Sequence, residues 1–382
     1  MSGRKEYGAT APKHMDSSFS RVPRPEGRDR PSLSAARTTL ADVAARAGVS
    51  VPTVSKVLNG RANCWASEET RERIRQAVAD LGYRPNLAAR GLASGHSRVI
   101  GFIAPGFGVA AGRSWAVGLT EAAARLDYAV TLSSHPNDSA SEDRLIRRLL
   151  DRGVDGLAIY PVDRGPHKEL RRLVETGFPV VTFEGANLLD FASDDASVDL
   201  DATGRLQARH LLALGRRRIC IANTLPAARV NELRDAAIER ELLAAGAPAP
   251  LRMNVRYRLA GETPNEEEIY AGIQAFVKSH AGAFDAVASY DPAASLVVRA
   301  LLEHGLRVPK DVAVIGSGNE TVARYGVIPL SSIDTHTDRI AAQGFDLLME
   351  RIGGLRSGNM YRCVTGVLDL VARRSSGGMP HM

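Results

Sequence analysis

The spacing of apolar residues changes along the chain and divides it into regions. Residues 1–37 are rich in Ser, Arg, Pro and Gly and have little apolar periodicity, which predicts a disordered, basic extension. Between residues 38 and 83 apolar positions recur at helical spacing. Across residues 99–376 short apolar runs alternate with amphipathic stretches of helical length. The pattern leaves a short connecting segment at 84–98 and a flexible tail at 377–382.

The second region predicts three short helices. Thr39 can cap the first, with Asp42 as its reciprocal partner in a capping box. Ser50 can cap the second, whose first turn holds Pro52 where a missing N–H costs little. Ser67 can cap the third. Two short helices around a tight turn, followed by a third, are typical of a helix-turn-helix module.

The connecting segment begins where Pro85 breaks the third helix. Asn86 can cap a further short helix that runs to about Ala93, and Ser94 with Gly95 ends it. We interpret residues 84–98 as a hinge helix and linker.

The third region predicts parallel β-sheets. Its strand-like runs are VIGFIAP, YAVTLSS, GLAIY, FPVVTFE, RICIAN, AVASY and DVAVIG. Strands that alternate with helices of this length form βαβ units, and seven are enough for two sheets. The expected fold is therefore an all-α helix-turn-helix headpiece plus an α/β core of two doubly wound lobes. Ligands of such folds bind at the carboxyl ends of the strands.

Composition narrows the class of protein. The 382 residues carry a formal net charge of +6, which is weak support for a polyanionic partner. No apolar run reaches the ~18 residues that span a bilayer, and the N-terminus lacks the apolar stretch of a secretory signal. The three scattered cysteines show no metal-binding spacing and suit a reducing compartment. These features predict a cytoplasmic protein without a membrane segment or a metal site.

One glycine-rich stretch raises the alternative of a nucleotide-dependent enzyme. GFGVAAG, residues 106–112, follows a predicted strand and precedes a helix, as dinucleotide-binding loops do. However, the next strand ends in TLSSHPN and has no carboxylate for a ribose. The sequence also lacks a Gly-x-Ser-x-Gly elbow, a His-Glu-x-x-His motif and a phosphate-binding loop of the Walker type. We therefore expect no catalytic residues and no cofactor.

The segments TLADVAARAGVSVPTVSKVLNG and SEETRERIRQAVADLGYRPNLAARGLAS resemble the N-terminus of the LacI/GalR family of bacterial transcription regulators. The resemblance continues through HLLALGRRRICIA, LEHGLRVPKDVAVIG and IPLSSID, and covers about residues 38–376. It implies a DNA-binding headpiece, a hinge helix and a core like those of periplasmic sugar-binding proteins. It also implies a homodimer, usually a repressor, that binds a palindromic operator on the nucleoid and responds to a small effector, a sugar or another small metabolite.

The resemblance places base recognition at the start of the second helix. Val51, Pro52 and Lys56 match the positions that choose the operator sequence. Lys56 can donate to guanine O6 and N7, whereas Val51 and Pro52 offer only apolar contact, such as to a thymine methyl. Ser50, Thr53, Ser55 and Asn59 match positions that mostly hold phosphates and fix the register on DNA. Thr39 and Leu40 are the other headpiece residues expected to contact DNA.

The hinge is expected to add a minor-groove contact. Leu92 matches a leucine that family members wedge into a central base step, and the bend that this wedge allows offsets the cost of unstacking. Gly91 lowers helix propensity by roughly 1 kcal/mol, so the hinge helix is expected to form only on DNA. The hinge residues expected to contact DNA are Asn86, Ala89, Arg90, Leu92 and Ala93.

The effector positions are only partly those of the family. Arg234 matches an arginine that binds effector hydroxyls or carboxylates, but Tyr290 and Gly318 stand where an Asn and an Asp are usual. One alternative is therefore an effector that is less polar, aromatic or anionic. Another is a protein that binds DNA independently of any effector because its ligand site has degenerated. A structural ion pair between Arg234 and Asp291 is a further alternative. The expected effector-binding residues are Trp115, Asp199, Arg234, Tyr290, Asp291, Asn319 and Thr335.

Overall fold

The computed structural model describes residues 38–58, 66–83, 95–105, 110–223, 228–254, 266–356, 358 and 360–378. The chain separates into two compact units, Met1–Asn86 and Leu87–Met382. The predicted extension at 1–37 and the last four residues of the predicted tail lie outside the described residues.

The described residues of the first unit form three helices: α1 (Leu40–Ala47), α2 (Val51–Leu58) and α3 (Glu68–Asp80). Thr39 forms the predicted capping box, because its hydroxyl accepts from the Asp42 amide at 3.3 Å and its own amide donates to Asp42 Oδ2 at 2.8 Å. The Thr39 amide and the Thr39 hydroxyl both donate to Asp42 Oδ2, and these two bonds lower the pKa of the Asp42 carboxyl. The predicted caps at Ser50 and Ser67 are confirmed by bonds from the amides of Thr53 (3.4 Å) and Thr70 (3.2 Å).

The three helices enclose one small apolar core. Val43, Val54 and Ile74, one from each helix, are fully buried in it. Tyr83 packs against the same cluster after α3 ends. The helical spacing read from the sequence therefore corresponds to one inward face on each helix.

The second unit contains two six-stranded sheets. The first consists of β1 (Val99–Ala104), β2 (Ala129–Ser134), β3 (Gly156–Ile159), β4 (Val180–Phe183), β5 (Asp195–Ser197) and β11 (Cys363–Thr365). Its spatial order is β11-β5-β4-β3-β1-β2, and every pairing is parallel. β3 and β4 are buried along their whole length, as expected of strands covered by helices on both faces.

The second sheet repeats this plan. It consists of β6 (Ile219–Asn223), β7 (Leu251–Asn254), β8 (Ala286–Ala288), β9 (Ala313–Ser317), β10 (Ser331–Asp334) and β12 (Asp369–Val371). Its order is β12-β10-β9-β8-β6-β7, and only β12, which pairs with β10, is antiparallel.

The helices of the second unit surround these sheets. They are α4 (Ala110–Arg125), α5 (Ser139–Leu150), α6 (Lys168–Glu175), α7 (Gly185–Leu188), α8 (Leu200–Ala213), α9 (Arg229–Ala244), α10 (Glu266–Ser279), α11 (Asp291–Glu303), α12 (Thr321–Tyr325), α13 (Thr337–Ile352) and a 3-10 helix, Arg374–Ser376. We call the first sheet with α4–α7 and α13 the N-lobe, and the second sheet with α8–α12 the C-lobe. The chain passes between the lobes three times, after β5, β10 and β11.

The predicted fold class is confirmed. Each of the seven apolar runs contains a strand, and the two sheets form two doubly wound lobes. Strands such as β5, with the sequence Asp-Ala-Ser, were not predicted because three residues without an apolar run carry no local signal. Among the described residues, no helix is both long enough and apolar enough to cross a bilayer.

Candidate functional site

The predicted base-reading residues lie on the outer face of α2. Val51 is 41% exposed, and Pro52 and Lys56 are also exposed, whereas Val54 between them is fully buried. None of the ion pairs among the described residues involves Lys56. The start of α2 therefore presents two apolar side chains and one cation on the same surface.

The other headpiece residues predicted to contact DNA differ in exposure and in the bonds they already make. Ser50 Oγ lies 2.8 Å from Thr53 Oγ1, so these two hydroxyls hold each other at the cap of α2. Ser55 is half-buried, and Leu40 is half-buried against the apolar core. Thr39 is exposed, but its hydroxyl donates to Asp42 Oδ2 at 2.8 Å. The remaining predicted DNA-binding residues lie outside the described residues: Asn59, Asn86, Ala89, Arg90, Leu92 and Ala93.

Two arginines of the first unit form ion pairs within that unit. Arg75 on α3 pairs with Glu68 and with Glu72 of the same helix. Arg46 at the end of α1 pairs with Asp80 at 3.1 Å. These pairs leave Lys56 as the cation that stands beside the apolar residues of α2.

In the second unit the centre of the predicted effector site is Arg234, on α9. Its side chain is fully buried, and Nη2 donates to Asn223 Oδ1 at 2.6 Å and to Asp235 Oδ1 at 2.9 Å. The guanidinium lies over the ring of Tyr290, 4.1 Å from its centroid. Among the described residues, Nε and Nη1 have no hydrogen-bond partner. A buried cation with two unused donors is the strongest indication of a ligand in this unit.

The alternative of a structural ion pair between Arg234 and Asp291 is wrong. Arg234 pairs instead with its neighbour in the chain, Asp235. Asp291 instead begins α11 and accepts from Ser332 Oγ and from the Glu320 amide, both at 2.8 Å. Burial raises its pKa to about 6. Asp291 therefore holds the ends of β9 and β10 together within the C-lobe.

A glycine makes this position of Asp291 possible. A Cβ on Gly316, near the end of β9, would lie 1.9 Å from Asp291 Oδ1. Any side chain there would displace the carboxylate from the Ser332 hydroxyl.

Tyr290 lies beside Arg234, and its contacts are with the protein. One face of the ring is covered by Arg234, and the hydroxyl donates to Asn231 Oδ1. Burial raises the pKa of the phenol to about 12, so it remains a donor at neutral pH. The residue that replaces the usual Asn thus positions Arg234.

Asn319 and Thr335 lie where β9 and β10 end. Asn319 donates to Asp334 Oδ2 at 2.6 Å and accepts from Arg373 Nη2 at 2.5 Å, so both ends of its amide are used within the protein. Thr335 Oγ1 lies 2.9 Å from Thr337 Oγ1, at the passage from the C-lobe to α13. Both side chains stabilise the segment that joins the lobes.

Asp199 is not grouped with these residues. It is exposed and caps α8, accepting from the Ala202 amide at 2.7 Å. It lines a separate depression of about 300 Å³, together with Arg205, Arg209 and Gly366 among others.

The prediction that Trp115 binds the effector is wrong. Its side chain is 1% exposed in the core of the N-lobe. The indole stacks on Phe183 with ring centroids 4.6 Å apart and planes 14° apart. A helix position that faces the sheet is filled by a large apolar ring because this buries the most surface.

Sequence reasoning missed two residues of the cleft, Tyr160 and Glu184. Glu184 is buried with φ 63°, and it accepts from Asn187 Nδ2 at 2.6 Å and from the Val198 amide at 3.2 Å. Burial raises its pKa to about 8, and burial also raises the pKa of Tyr160 well above its ordinary value. Tyr160 ends the strand-like run GLAIY, and Glu184 ends FPVVTFE. Because ligands of such folds bind at the carboxyl ends of strands, these positions could have predicted both residues as part of the site.

Ion pairs and hydrogen bonds connect the two lobes across the cleft. Arg113 on α4 pairs with Glu320 at 3.3 Å, and Arg164 pairs with Glu232 of α9 at 2.6 Å. The Arg229 amide, at the start of α9, donates to Asp163 Oδ1 at 2.9 Å. Burial raises the pKa of Glu320 to about 7, and Arg113 opposes that rise. The helix that carries Arg234 is thus also the helix that contacts the N-lobe.

Comparison with known proteins identifies both parts of the chain. The model of the lacI family of bacterial regulatory proteins matches residues 39–86, and that of a periplasmic binding protein-like domain matches residues 208–376. Catabolite control protein A of Streptococcus mutans is 30% identical over 299 residues, 77% of this chain and 85% of that protein. Catabolite control protein A of Staphylococcus xylosus is 27% identical over 316 residues, 81% of this chain and 91% of that protein.

The fold is also that of a solved regulator. The crystal structure of the Lac repressor dimer bound to operator and an anti-inducer matches with a TM-score of 0.74 at 23% identity, over 89% of this chain and 99% of that one. The likeness extends through the helical unit and both lobes. Together, the relatives, the two matched models and the fold show that the chain belongs to the lacI family of bacterial regulatory proteins and is a DNA-binding transcriptional regulator.

Proposed function

We propose that this regulator binds a palindromic operator as a homodimer and that a small molecule held between the lobes of its core controls the binding. In helix-turn-helix proteins the second helix enters the major groove with its N-terminal residues at the base edges. That end of α2 exposes Val51, Pro52 and Lys56. One subunit reads one half-site, so a twofold-symmetric dimer matches a palindrome.

Control by an effector is supported by the unsatisfied hydrogen-bond donors of Arg234. Its Nε and Nη1 are buried without a partner among the described residues. Leaving a buried donor unsatisfied costs roughly 1–3 kcal/mol, so a ligand that brings acceptor oxygens binds there with an advantage. Hydroxyl and carboxylate groups are such acceptors, and an arginine suits both. The effector is therefore a sugar or another small oxygen-bearing metabolite.

The contacts between the lobes supply a route from effector to DNA. A ligand on Arg234 acts on α9, which also meets the N-lobe through Arg229 and Glu232. A ligand that binds one arrangement of the lobes better than another shifts the population, and DNA affinity changes with it. Family members are usually repressors. An effector in this site could either weaken or strengthen the binding of the operator.

Solved relatives support the dimer and the effector. The Lac repressor structure holds a dimer on its operator together with an anti-inducer. A transcriptional regulator CelR, crystallised with cellobiose, has the same fold with a TM-score of 0.61 at 24% identity. By this analogy we assign no catalytic activity and no cofactor to the chain, and place it in the bacterial cytoplasm, where its operator is.

The test begins with a duplex enriched by the full-length protein from a random palindromic pool. Anisotropy titrations would then measure its affinity with and without a panel of sugars, organic acids and nucleosides. We expect enrichment of one palindrome and a change in affinity with at least one compound. Arg234→Lys should abolish the response, whereas Arg240→Lys, at an exposed position of the same helix, should preserve it.

Two outcomes would contradict different parts of the proposal, operator binding and control by an effector. Enrichment of no palindrome would refute operator binding itself. A palindrome bound equally tightly with every compound would favour an effector-independent binder, an alternative that the Gly318 and Tyr290 departures support.

Lys56 provides a check on which residue reads bases. Lys56→Ala should relax specificity at one base pair per half-site, because a guanine loses its donor. A uniform loss of affinity over all sequences would instead show that Lys56 contacts a phosphate.

A further inference from the structure

The outward side of α5, in the N-lobe, carries three arginines that are not paired with acids. Arg144, Arg148 and Arg152 are exposed and follow one another at intervals of four residues, along the helix and into the turn after it. Residues at this spacing lie on one side of a helix. None of the three belongs to an ion pair with another described residue. We call these three residues the arginine row.

The acidic residues nearest to the row do not neutralise it. Asp138 caps α5 and accepts from the Ser141 amide at 2.8 Å. Glu169 of α6 faces Arg147, which is not part of the row, at 3.7 Å. Asp151 is the one exposed acid of α5 and the turn after it. The row therefore keeps a net positive charge.

Exposed arginines on helices of the C-lobe show the contrasting arrangement. Arg209 pairs with Glu241 at 2.8 Å, and Arg299 pairs with Glu303 at 2.9 Å. Opposite charges one turn apart stabilise a helix, whereas like charges at that spacing repel each other. Because the arginine row retains this repulsion, contact with a polyanion is favourable on this side of α5.

The row ends where the chain enters the N-lobe. Arg152 lies in the turn that leads from α5 to β3, and Asp155 follows in the same turn. The Asp155 carboxylate accepts from the Ser97 amide at 2.6 Å and from the Arg98 amide at 2.9 Å. Ser97 and Arg98 come directly before β1, in the segment through which the chain passes from the first unit to the second. The row is thus anchored to the segment that joins the core to the DNA-binding unit.

We infer that the arginine row binds the phosphate backbone of the DNA that flanks the operator, whatever its base sequence. The inference rests on the proposed operator binding and adds a contact made by the core. Phosphates recur every ~3.4 Å of axis along a DNA strand, and four residues of a helix rise about 6 Å, so successive arginines can meet different phosphates of one strand. The planar fork of an arginine suits a phosphate. The attachment of the row to the segment from the DNA-binding unit favours DNA over an acidic protein as the polyanion.

Operator duplexes of two lengths test the inference. One is limited to the enriched palindrome, and the other extends it on each side by roughly two helical turns, about 20 base pairs. The full-length protein should bind the longer duplex more tightly, a difference that we call the flank gain. If all six arginines of a dimer contact phosphates, the slope of log affinity against log salt should be steeper by about 5 for the longer duplex. A changed flank sequence should leave the flank gain intact, because phosphate contacts carry no sequence information.

Replacement of the arginine row assigns the contact to the protein. The variant Arg144→Ala/Arg148→Ala/Arg152→Ala should bind both duplexes with equal affinity and equal salt dependence, because the contacted phosphates have lost their partners. All three side chains are exposed, so the variant should fold, and a thermal melt would verify this.

A control variant removes the same charge elsewhere. Arg209→Ala/Arg240→Ala/Arg307→Ala breaks exposed ion pairs of the C-lobe and should keep the flank gain. An equal loss of the flank gain in the control and in the row variant would show an effect of total charge and would overturn the inference.

The other failures are distinguishable. If the wild type binds both duplexes equally, or if the row variant keeps the flank gain, the inference is overturned while operator binding stands. If there is no flank gain and polyglutamate binds the wild type but not the row variant, the partner of the row is an acidic protein, which also overturns the inference. If no palindrome is enriched, the proposed function fails and the inference fails with it.

Discussion

Arg234 shows how a fully buried cation is accommodated beside a ligand site. Asp235 neutralises its charge at 2.9 Å, Asn223 accepts one hydrogen bond, and Tyr290 covers one face of the guanidinium. A ring below a desolvated guanidinium contributes a cation–π interaction of roughly 2 kcal/mol. Tyr290, which departs from the family pattern, therefore gives Arg234 a rigid support, and Nε and Nη1 stay open to an effector.

Replacement of Arg234 should be far more costly than replacement of an exposed arginine on the same helix. Arg234→Ala leaves the buried Asp235 with Arg252, at 3.3 Å, as its one cationic partner among the described residues. The substitution should lower the free energy of unfolding by about 3 kcal/mol. Arg240→Ala breaks an exposed pair with Asp201 and should cost less than about 1 kcal/mol. Urea denaturation of both variants measures the difference. Equal effects would show that the buried network does not stabilise the C-lobe.

Glu184 should make the core less stable as the pH rises. Its pKa is about 8 in the folded protein and near 4.5 when unfolded, so between these values the folded state holds a proton that the unfolded state releases. The contribution of this bound proton to the free energy of unfolding is fully present below pH ~4.5 and is lost as the pH rises through ~8. The loss amounts to a few kcal/mol in total.

Melting temperatures at pH 5 and pH 8 test this effect. Glu184→Gln should reduce the decrease in melting temperature between the two. Glu241→Gln, at a half-buried carboxyl whose pKa is lowered by its hydrogen bonds from Arg209, should leave that decrease unchanged. A wild-type protein with equal stability at both pH values would contradict the prediction.

At the scale of elements, polar side chains set the ends of the headpiece helices. Thr39, Ser50 and Ser67 each satisfy an amide that the helix itself cannot. Because a unit this small buries little apolar surface, each cap is a large share of its stability. The caps also orient α2, and so decide which of its residues face outwards.

Loss of the cap on α3 should destabilise the headpiece without touching the reading face. Ser67→Ala removes the bond to the Thr70 amide and should cost ~1 kcal/mol, whereas Ser67→Asp keeps an acceptor at that position. Hydrogen exchange of α3 amides in the full-length protein would measure the difference. Faster exchange in both variants would show that the site requires the serine for another reason.

At the scale of the whole molecule, the core is two lobes joined by three chain segments and by contacts across the cleft. In the ion pairs Arg113–Glu320 and Arg164–Glu232 both arginines are exposed to solvent, so each pair contributes little alone. Weak contacts between the lobes suit a regulator, because an effector must be able to shift the equilibrium between two arrangements of the lobes.

Removal of the two interlobe arginines should open the cleft. The variant Arg113→Ala/Arg164→Ala should shift the equilibrium by up to ~1 kcal/mol, about fivefold, towards separated lobes. Small-angle X-ray scattering would detect a larger radius of gyration. The control Arg299→Ala/Arg307→Ala breaks two ion pairs inside the C-lobe and should scatter like the wild type. Identical curves for all three proteins would mean that these pairs do not hold the lobes.

Prediction from sequence succeeded for the features that neighbouring residues determine. The caps at Thr39 and Ser67, the three headpiece helices and seven of the strands were readable because periodicity and capping are local. The outward position of Val51, Pro52 and Lys56 follows from the same helical spacing.

The contacts of the cleft could not be read in this way. The sequence by itself determined a helix-turn-helix followed by two α/β lobes, with Arg234 on a helix of the second lobe. Only the tertiary structure decided that Arg234 pairs with Asp235 and lies on Tyr290, that Asp291 joins Ser332 instead, and that Trp115 stacks on Phe183. Some of these pairings join residues far apart in the chain, and others form where several charges lie near one another. Only the packing of whole helices and strands determines which partners meet.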